Sequence, residues 1–271
     1  MTQDTRRLID LLERTHPLRE AVLRRAISAL DLSGVARGLD VGCGLGLQAR
    51  MLAESTTPPS SIVGLDISHE LLAYAARLAA RPARGECVFF SAGDMGRLPF
   101  ADDTFDLVWS ADCVGYPASN LLPLLGEIAR VSRRGGIVAL LSYTSQTLLP
   151  GYAMLEARLN AGASAYAPYL DAADPDAHFL RAGRWFPEAG ILDLRCRTFV
   201  ADVQAPLNEA QREGLILLFD MLWGGNQGGL SESDGAAFSR LCLADSPDCI
   251  LDLPAYYGMF TYTMFDGRVD K

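Results

Sequence analysis

Gly38-Leu39-Asp40-Val41-Gly42-Cys43-Gly44-Leu45-Gly46 runs from a short apolar strand into a glycine-rich turn that opens a helix. Glycines at alternate positions 42, 44 and 46 let the backbone turn sharply and leave bare amides for a ligand to approach. A helix starting at such a turn points free N–H groups at that ligand, which favours a polar or anionic group there.

Working outward, the chain alternates strand and helix from residue 36. Strands are predicted to end at Asp40-Val41 and to span 61–66, 86–91, 105–110 and 137–141, with helices over 47–55, 71–80 and 119–131. Ser68 is a good N-cap for the helix that places Leu71, Leu72, Ala75 and Leu78 on one face. Short apolar runs in this rhythm read as parallel strands buried on both faces, hence an α/β doubly wound sheet. Before it, 4–14 and 17–31 read as two helices, with Pro17 at a first-turn position and Arg19, Arg24 and Arg25 on the solvated side. Together, residues 1–35 form a helical cap over the edge of a nucleotide site. The alternation stops near Tyr143. Residues 145–185 read as a helical insert, with helices around 151–162 and 175–183, followed by a strand at 191–203 and helices near 206–223 and 231–244. The glycine-rich run 223–229 reads as a loop and 256–265 as a closing strand. The expected organisation is one structural domain: cap, core (36–144 and 186–271) and lid.

A chain of 271 residues, 49% hydrophobic and 21% charged, has the balance of an ordinary soluble globular protein. Its net charge of −9, with no basic stripe, argues against nucleic acid and for a small-molecule substrate. The N-terminus is polar, and no run of about 18 apolar residues suggests a membrane span. Six scattered cysteines without a Cys-x-x-Cys pair read as reduced, buried side chains of a cytoplasmic protein, with no metal site.

Asp66 closes the second strand, where an acid binds the hydroxyls of a ribose. Asp94, after the third strand, is placed to accept an adenine amino group, with Met95 over the ring. A nicotinamide loop of the form Gly-x-Gly-x-x-Gly would need glycine where Leu47 stands.

These stretches match a family. Residues 38–46 resemble the first motif of the class I S-adenosylmethionine-dependent methyltransferases, and Gly64-Leu65-Asp66-Ile67-Ser68 resembles their second. Gly93-Asp94-Met95-Gly96-Arg97-Leu98-Pro99-Phe100, Asp103-Thr104-Phe105-Asp106-Leu107-Val108 and Arg130-Val131-Ser132-Arg133-Arg134-Gly135-Gly136 are similar to the ubiquinone and menaquinone methyltransferase subgroup. The resemblance covers about residues 36–143. It implies a seven-stranded, mostly parallel, Rossmann-like sheet with an antiparallel last strand. It implies S-adenosyl-L-methionine as cofactor and S-adenosyl-L-homocysteine as product. Asp40, Gly42, Cys43, Gly44 and Gly46 would flank the methionine part, Asp66 with Ile67 the ribose, Asp94 and Met95 the adenine, and Ser110 the sulfonium, with Asp112 close by.

The reaction expected is methyl transfer by in-line displacement to a small apolar or aromatic molecule. Alternatives are a regulatory protein that binds the methyl donor or its product without turnover, and a nicotinamide-dependent reductase. Where the acceptor must lose a proton, His178, Tyr143, Asp112 and Tyr116 are the candidate bases. Ser110-Ala111-Asp112-Cys113-Val114-Gly115-Tyr116 is not the Asn/Asp-Pro-Pro-Tyr/Phe turn of amide and exocyclic-amine methyltransferases. Tyr152, Tyr166, Tyr169, Phe179, Trp185, Phe186, Phe219 and Trp223 could wall an apolar pocket. The protein is expected to be a monomer or homodimer.

Overall fold

The computed structural model describes residues 2–57, 60–79, 87–114, 121–161, 178–224 and 230–271. Tyr116, Tyr166, Tyr169 and the glycines of the loop after Gly224 lie outside these residues. Seven strands form one sheet in the order β3-β2-β1-β4-β5-β7-β6. They are β1 (Arg37–Val41), β2 (Ser61–Asp66), β3 (Cys87–Ala92), β4 (Phe105–Ala111), β5 (Ser132–Thr147), β6 (Ile191–Gln204) and β7 (Tyr257–Val269). The first five pair in parallel, and β7 runs antiparallel between β5 and β6. The order reverses at β1, so β2 and β4 diverge from its C-terminal end and open a crevice where such sheets bind ligands. Asp40 pairs with Gly64 on one side and Trp109 on the other, which sets the ends of β1, β2 and β4 level around that crevice.

The helices are α1 (Gln3–Ser28), α2 (Leu47–Ser55), α3 (His69–Ala79), α4 (Leu121–Val131), α5 (Ala153–Ala161), α6 (Ala182–Glu188), α7 (Glu209–Phe219) and α8 (Glu232–Cys242). Side chains alternate across the sheet. Leu107, Trp109, Ala111, Ala139 and Leu141 enter one core with α1, α2, α5, α7 and α8. Val108, Val138 and Leu140 enter the other with α4 and α6. Burial on both faces is the reason these strands read as continuous apolar runs.

Two expectations fail here for identifiable reasons. The N-terminal segment is one 26-residue helix that continues through Pro17. Proline in a helix interior costs about 3 kcal/mol. The stripe it interrupts holds Val22, Leu23, Ala26 and Ile27 at 0% exposure. Burying a large aliphatic side chain returns about 1.5–3 kcal/mol, so continuity wins. The same stripe carries Arg19 inward rather than onto the solvated side, because it stands one turn from the buried Thr15 and Val22.

The fifth strand is also longer than 137–141. Pairing with β4 jumps from Ser132 to Ile137 while β4 advances from Phe105 to Leu107, so 133–136 loop out at Gly135. Beyond Leu141, pairing with β7 carries the strand on to Thr147. Leu155 and Leu159 of α5 then pack in the main core.

Candidate functional site

The glycine turn has the geometry its residues require. Gly42, Gly44 and Gly46 all have positive φ (75°, 52° and 69°), the left-handed region that other L-residues enter at a cost. The N–H groups of Gly42 and Cys43 both donate to the Leu65 carbonyl at 2.8 and 2.9 Å, fastening the turn to the end of β2. A Cβ at Gly42 would lie 2.6 Å from that of Cys113, and one at Gly46 would meet the Phe90 ring at 2.6 Å. Leu12 of α1 closes over the turn, 3.4 Å from where a Cβ of Gly44 would stand. The Cys43 side chain packs under Gly64, and burial pushes its thiol pKa up, so it is a packing group.

The acids behave differently from one another. Asp66 is half-buried and fully engaged: Oδ2 accepts from Gly44 N–H at 2.9 Å and Oδ1 from Ser68 N–H at 2.8 Å. It joins the glycine turn to the start of α3, where Ser68 Oγ accepts from Leu71 N–H as the sequence predicted. Asp40 is 1% exposed, and its Oδ2 is buried without a hydrogen-bond partner among the described residues. Desolvation, followed by the nearby Asp66 charge, raises its pKa from 3.8 to about 7; the Ala49 N–H opposes the shift.

Asp94 lies past the end of β3, exposed, with Oδ1 accepting from Gly96 N–H at 2.8 Å. Met95 packs nearby, its sulfur 3.9 Å from that of Cys113. Ile67 is 74% exposed beside Asp66. Ser110 is buried; its Oγ donates to the Val41 carbonyl at 2.8 Å and accepts from Val114 N–H at 3.2 Å, binding β4 to β1 below the crevice. The ten residues proposed for the cofactor therefore lie in and around the glycine turn and the ends of β1 to β4.

On the far side of β4 a second cluster forms. Asp112 adopts a positive φ of 53° just past the strand. Its Oδ1 accepts from Tyr143 N–H at 2.8 Å, and its Oδ2 accepts from the Tyr262 hydroxyl at 3.2 Å and Arg19 Nη1 at 3.3 Å. Tyr143 stacks on Phe260 and meets Tyr262 edge-on, with centroids 5.7 and 5.6 Å apart. Burial raises the Tyr262 hydroxyl pKa above its ordinary value. Asp112 and Tyr143 are thus brought together, and His178 is not. His178 Nδ1 accepts from Leu180 N–H at 3.2 Å, capping the turn Phe179–Arg181. Phe179 packs on Phe265 in the core opposite the one Tyr143 joins. Phe186 and Trp185 lie in that same opposite core, and Phe219 and Trp223 stack within the main one.

Arg19 and Tyr262 were not singled out from the sequence. The signal for Arg19 was there: a cation between Leu18 and Val22 on an apolar stripe. Tyr262 gave no separable signal in its aromatic strand, and Cys113, whose side chain sits against Gly42, gave none either.

Residues 39–140 match the methyltransferase domain family. The chain is 36% identical over 120 residues to a demethylmenaquinone methyltransferase of Halalkalibacterium halodurans, covering 43% of this chain and 46% of that protein. It therefore spans about half the length of that relative. A demethylmenaquinone methyltransferase of Staphylococcus aureus is 29% identical over 199 residues, covering 67% of this chain and 78% of the relative. The fold is shared with phosphoethanolamine N-methyltransferase 2 of Haemonchus contortus, solved with S-adenosyl-L-methionine (TM-score 0.52, 18% identity, 93% of this chain and 52% of that one). The glycine turn and the ordered acids thus lie within a methyltransferase domain, residues 39–140, and the sheet order is that of the S-adenosylmethionine-dependent methyltransferase fold.

Proposed function

We propose that this protein transfers the methyl group of S-adenosyl-L-methionine to a small aromatic acceptor held over the ends of β4 and β5, leaving S-adenosyl-L-homocysteine. The observation that carries this reading is Asp40, a buried carboxylate with one oxygen unpaired at the mouth of the glycine turn. Its donor set fits a ligand with a cationic amino group, because such a group would supply the missing partner and reverse the desolvation. The cofactor supplies a methyl group activated by its positive sulfur, open to in-line displacement.

The residues of the chain hold and orient. The glycine turn, whose N–H groups at 42, 43, 44 and 46 are spent on holding its shape, and the Asp40 carboxylate face the methionine portion. Asp66, already fixed by Gly44 and Ser68, faces the ribose with Ile67 beside it. Asp94 and Met95 face the adenine, and Ser110 keeps β1 and β4 in register below the sulfur. As a cap, α1 excludes water where Leu12 crosses Gly44. Displacement needs alignment more than acid–base chemistry. Asp112 and Tyr143 line the acceptor side, and His178, which caps the turn Phe179–Arg181 beside the opposite core, has no part in it.

The half-buried ring of Tyr143, backed by Phe260 and Tyr262, favours an aromatic acceptor, and the substrate printed for two relatives, demethylmenaquinone, supports one. Leu47, in place of the third glycine of a nicotinamide loop, weighs against a reductase. Calorimetric titration tests the reading. S-adenosylhomocysteine should bind and NADH should not, and Asp66→Ala should weaken the former at least tenfold. Unchanged affinity in that variant would remove Asp66 from the site. Release of S-adenosylhomocysteine on incubation with S-adenosylmethionine and a panel of phenols and quinols separates turnover from regulatory binding.

A further inference from the structure

A guanidinium on the buried stripe of a helix needs a reason, and its protein partners do not supply one. Arg19 is held at the crevice because α1 is tied down along its length. Thr5 Oγ1 donates to Glu70 at 2.5 Å and the Tyr74 hydroxyl to Glu13 at 2.7 Å. Arg14 pairs with Glu213 at 3.1 Å and Arg24 with Glu54 at 2.8 Å. Turning the helix to put Arg19 in water would break these ties and expose the stripe.

At the crevice, donors and acceptors are unequally satisfied. Asp112 receives three donors: the Tyr143 N–H, the Tyr262 hydroxyl and Arg19 Nη1. Arg19 offers five N–H donors. Its contact with Asp112 is 3.3 Å long, and its Nε is buried with no hydrogen-bond partner among the described residues. Asp112 is anchored by two tyrosines, and the arginine, which also meets the Tyr262 hydroxyl, still has its Nε–H to spare in a side chain only 18% exposed. Buried donors in native proteins are paired, so an unpaired one points to a missing partner.

We propose that Arg19 recognises a carboxylate on the methyl acceptor, a conclusion that rests on the methyl-transfer reading above. In a guanidinium, the Nε–H and one Nη2–H run parallel along one edge and match the two oxygens of a carboxylate. The bond to Asp112 uses Nη1, which is not part of that edge. Beside it Tyr143, half-buried, is backed by the buried rings of Phe260 and Tyr262, so Tyr143 presents the aromatic face of the cluster. The acceptor class that satisfies both features is a small aromatic acid, its ring against Tyr143 and its carboxylate on Arg19. With a net charge of −9, the chain disfavours anions at long range, so such a substrate needs a fixed cation where it docks.

The test compares 4-hydroxybenzoate with 4-hydroxybenzamide, near-isosteric probes differing in charge, by calorimetric titration of protein first saturated with S-adenosylhomocysteine. The wild type is expected to prefer the acid at least tenfold. Arg19→Met should cut that preference to within twofold while leaving S-adenosylhomocysteine affinity within twofold. Arg19→Lys keeps the charge but not the two-donor edge, and should retain about a threefold preference. Equal binding of the two probes, binding of neither, or survival of the preference in Arg19→Met overturns the proposal. If Arg19→Met does not fold, a full tenfold preference in Arg19→Lys overturns it instead. Failure of S-adenosylhomocysteine to bind in the first step would reject the methyl-transfer reading, whereas binding without the acid preference would reject only Arg19's role.

Discussion

Replacing Asp40 by asparagine isolates the electrostatic cost built into the glycine turn. The carboxyl pKa stands at about 7 in the folded protein against 3.8 for the free group, chiefly through desolvation. Below about pH 4 the group is protonated in both states and contributes no pH dependence. Between there and 7 the native state binds more protons than the unfolded one, so stability falls as pH rises. Above 7 the loss is complete. A shift of about three pKa units corresponds to roughly 4 kcal/mol, an order-of-magnitude figure. Asparagine removes this titration and brings its own cost for an amide with unpaired atoms, about 1–3 kcal/mol. The informative quantity is therefore the change in the difference between the two proteins with pH, not its value at one pH. Urea denaturation at pH 5, 6, 7 and 8 should show the variant gaining on the wild type across this range by a few kcal/mol. S-adenosylhomocysteine titrations of the wild type at pH 6 in buffers of different ionisation enthalpy should report proton release, and Asp40→Asn should show none from this site. A stability difference independent of pH from 5 to 8 would refute the raised pKa and the argument built on it.

Gly42→Ala should destabilise the fold by at least 2 kcal/mol, combining about 1–2 kcal/mol for a side chain at φ 75° with the overlap on Cys113. In a urea titration, Cys113→Gly should relieve the overlap but not the dihedral, so the double variant recovers only part. Asp266, at 0% exposure, accepts from Arg195 and Arg197 at 2.6 Å each. Asp266→Asn should lower stability by about 3 kcal/mol, the low end for breaking a buried pair, because both arginines retain some water contact; a smaller shift in urea midpoint than 1 kcal/mol would show that they rehydrate freely.

What the sequence made legible was local or periodic. Strands β1, β2 and β4 were bounded to within a residue because each is a short apolar run ended by glycine, acid or loop residues. The glycine turn was readable because positive φ at 42, 44 and 46 demands that residue type. The course of β5 past Leu141 was not, since it depends on pairing with β7, more than a hundred positions away. The unbroken α1 was missed because the local effect of Pro17 was weighed without the long apolar stripe on both sides of it. The cluster around Asp112 was half legible: Asp112 and Tyr143 stood out singly, but Arg19 and Tyr262 come from α1 and β7, and only the tertiary fold joins the four.

Two buried polar atoms at the crevice that find no hydrogen-bond partner among the described residues are opposite in kind. Asp40 Oδ2, beside the glycine turn, lacks a donor; Arg19 Nε, beside Asp112, lacks an acceptor. Both stand where the fold alone offers them no partner among the described residues, whereas Asp66 is held by Gly44 and Ser68. The two atoms are kept apart, one on α2's side of β1 and one across β4. An amino acid moiety with a positive amine answers the first, and an acid answers the second. Between them lies Ser110, buried and tied to Val41, so the floor separating the two halves is rigid. A positive sulfur above that floor and a negative acceptor beside it would attract each other, while a proton on an attacking hydroxyl would still have to leave to a base or to water. Asp112, with both oxygens engaged, then serves best as the anchor that aims Arg19.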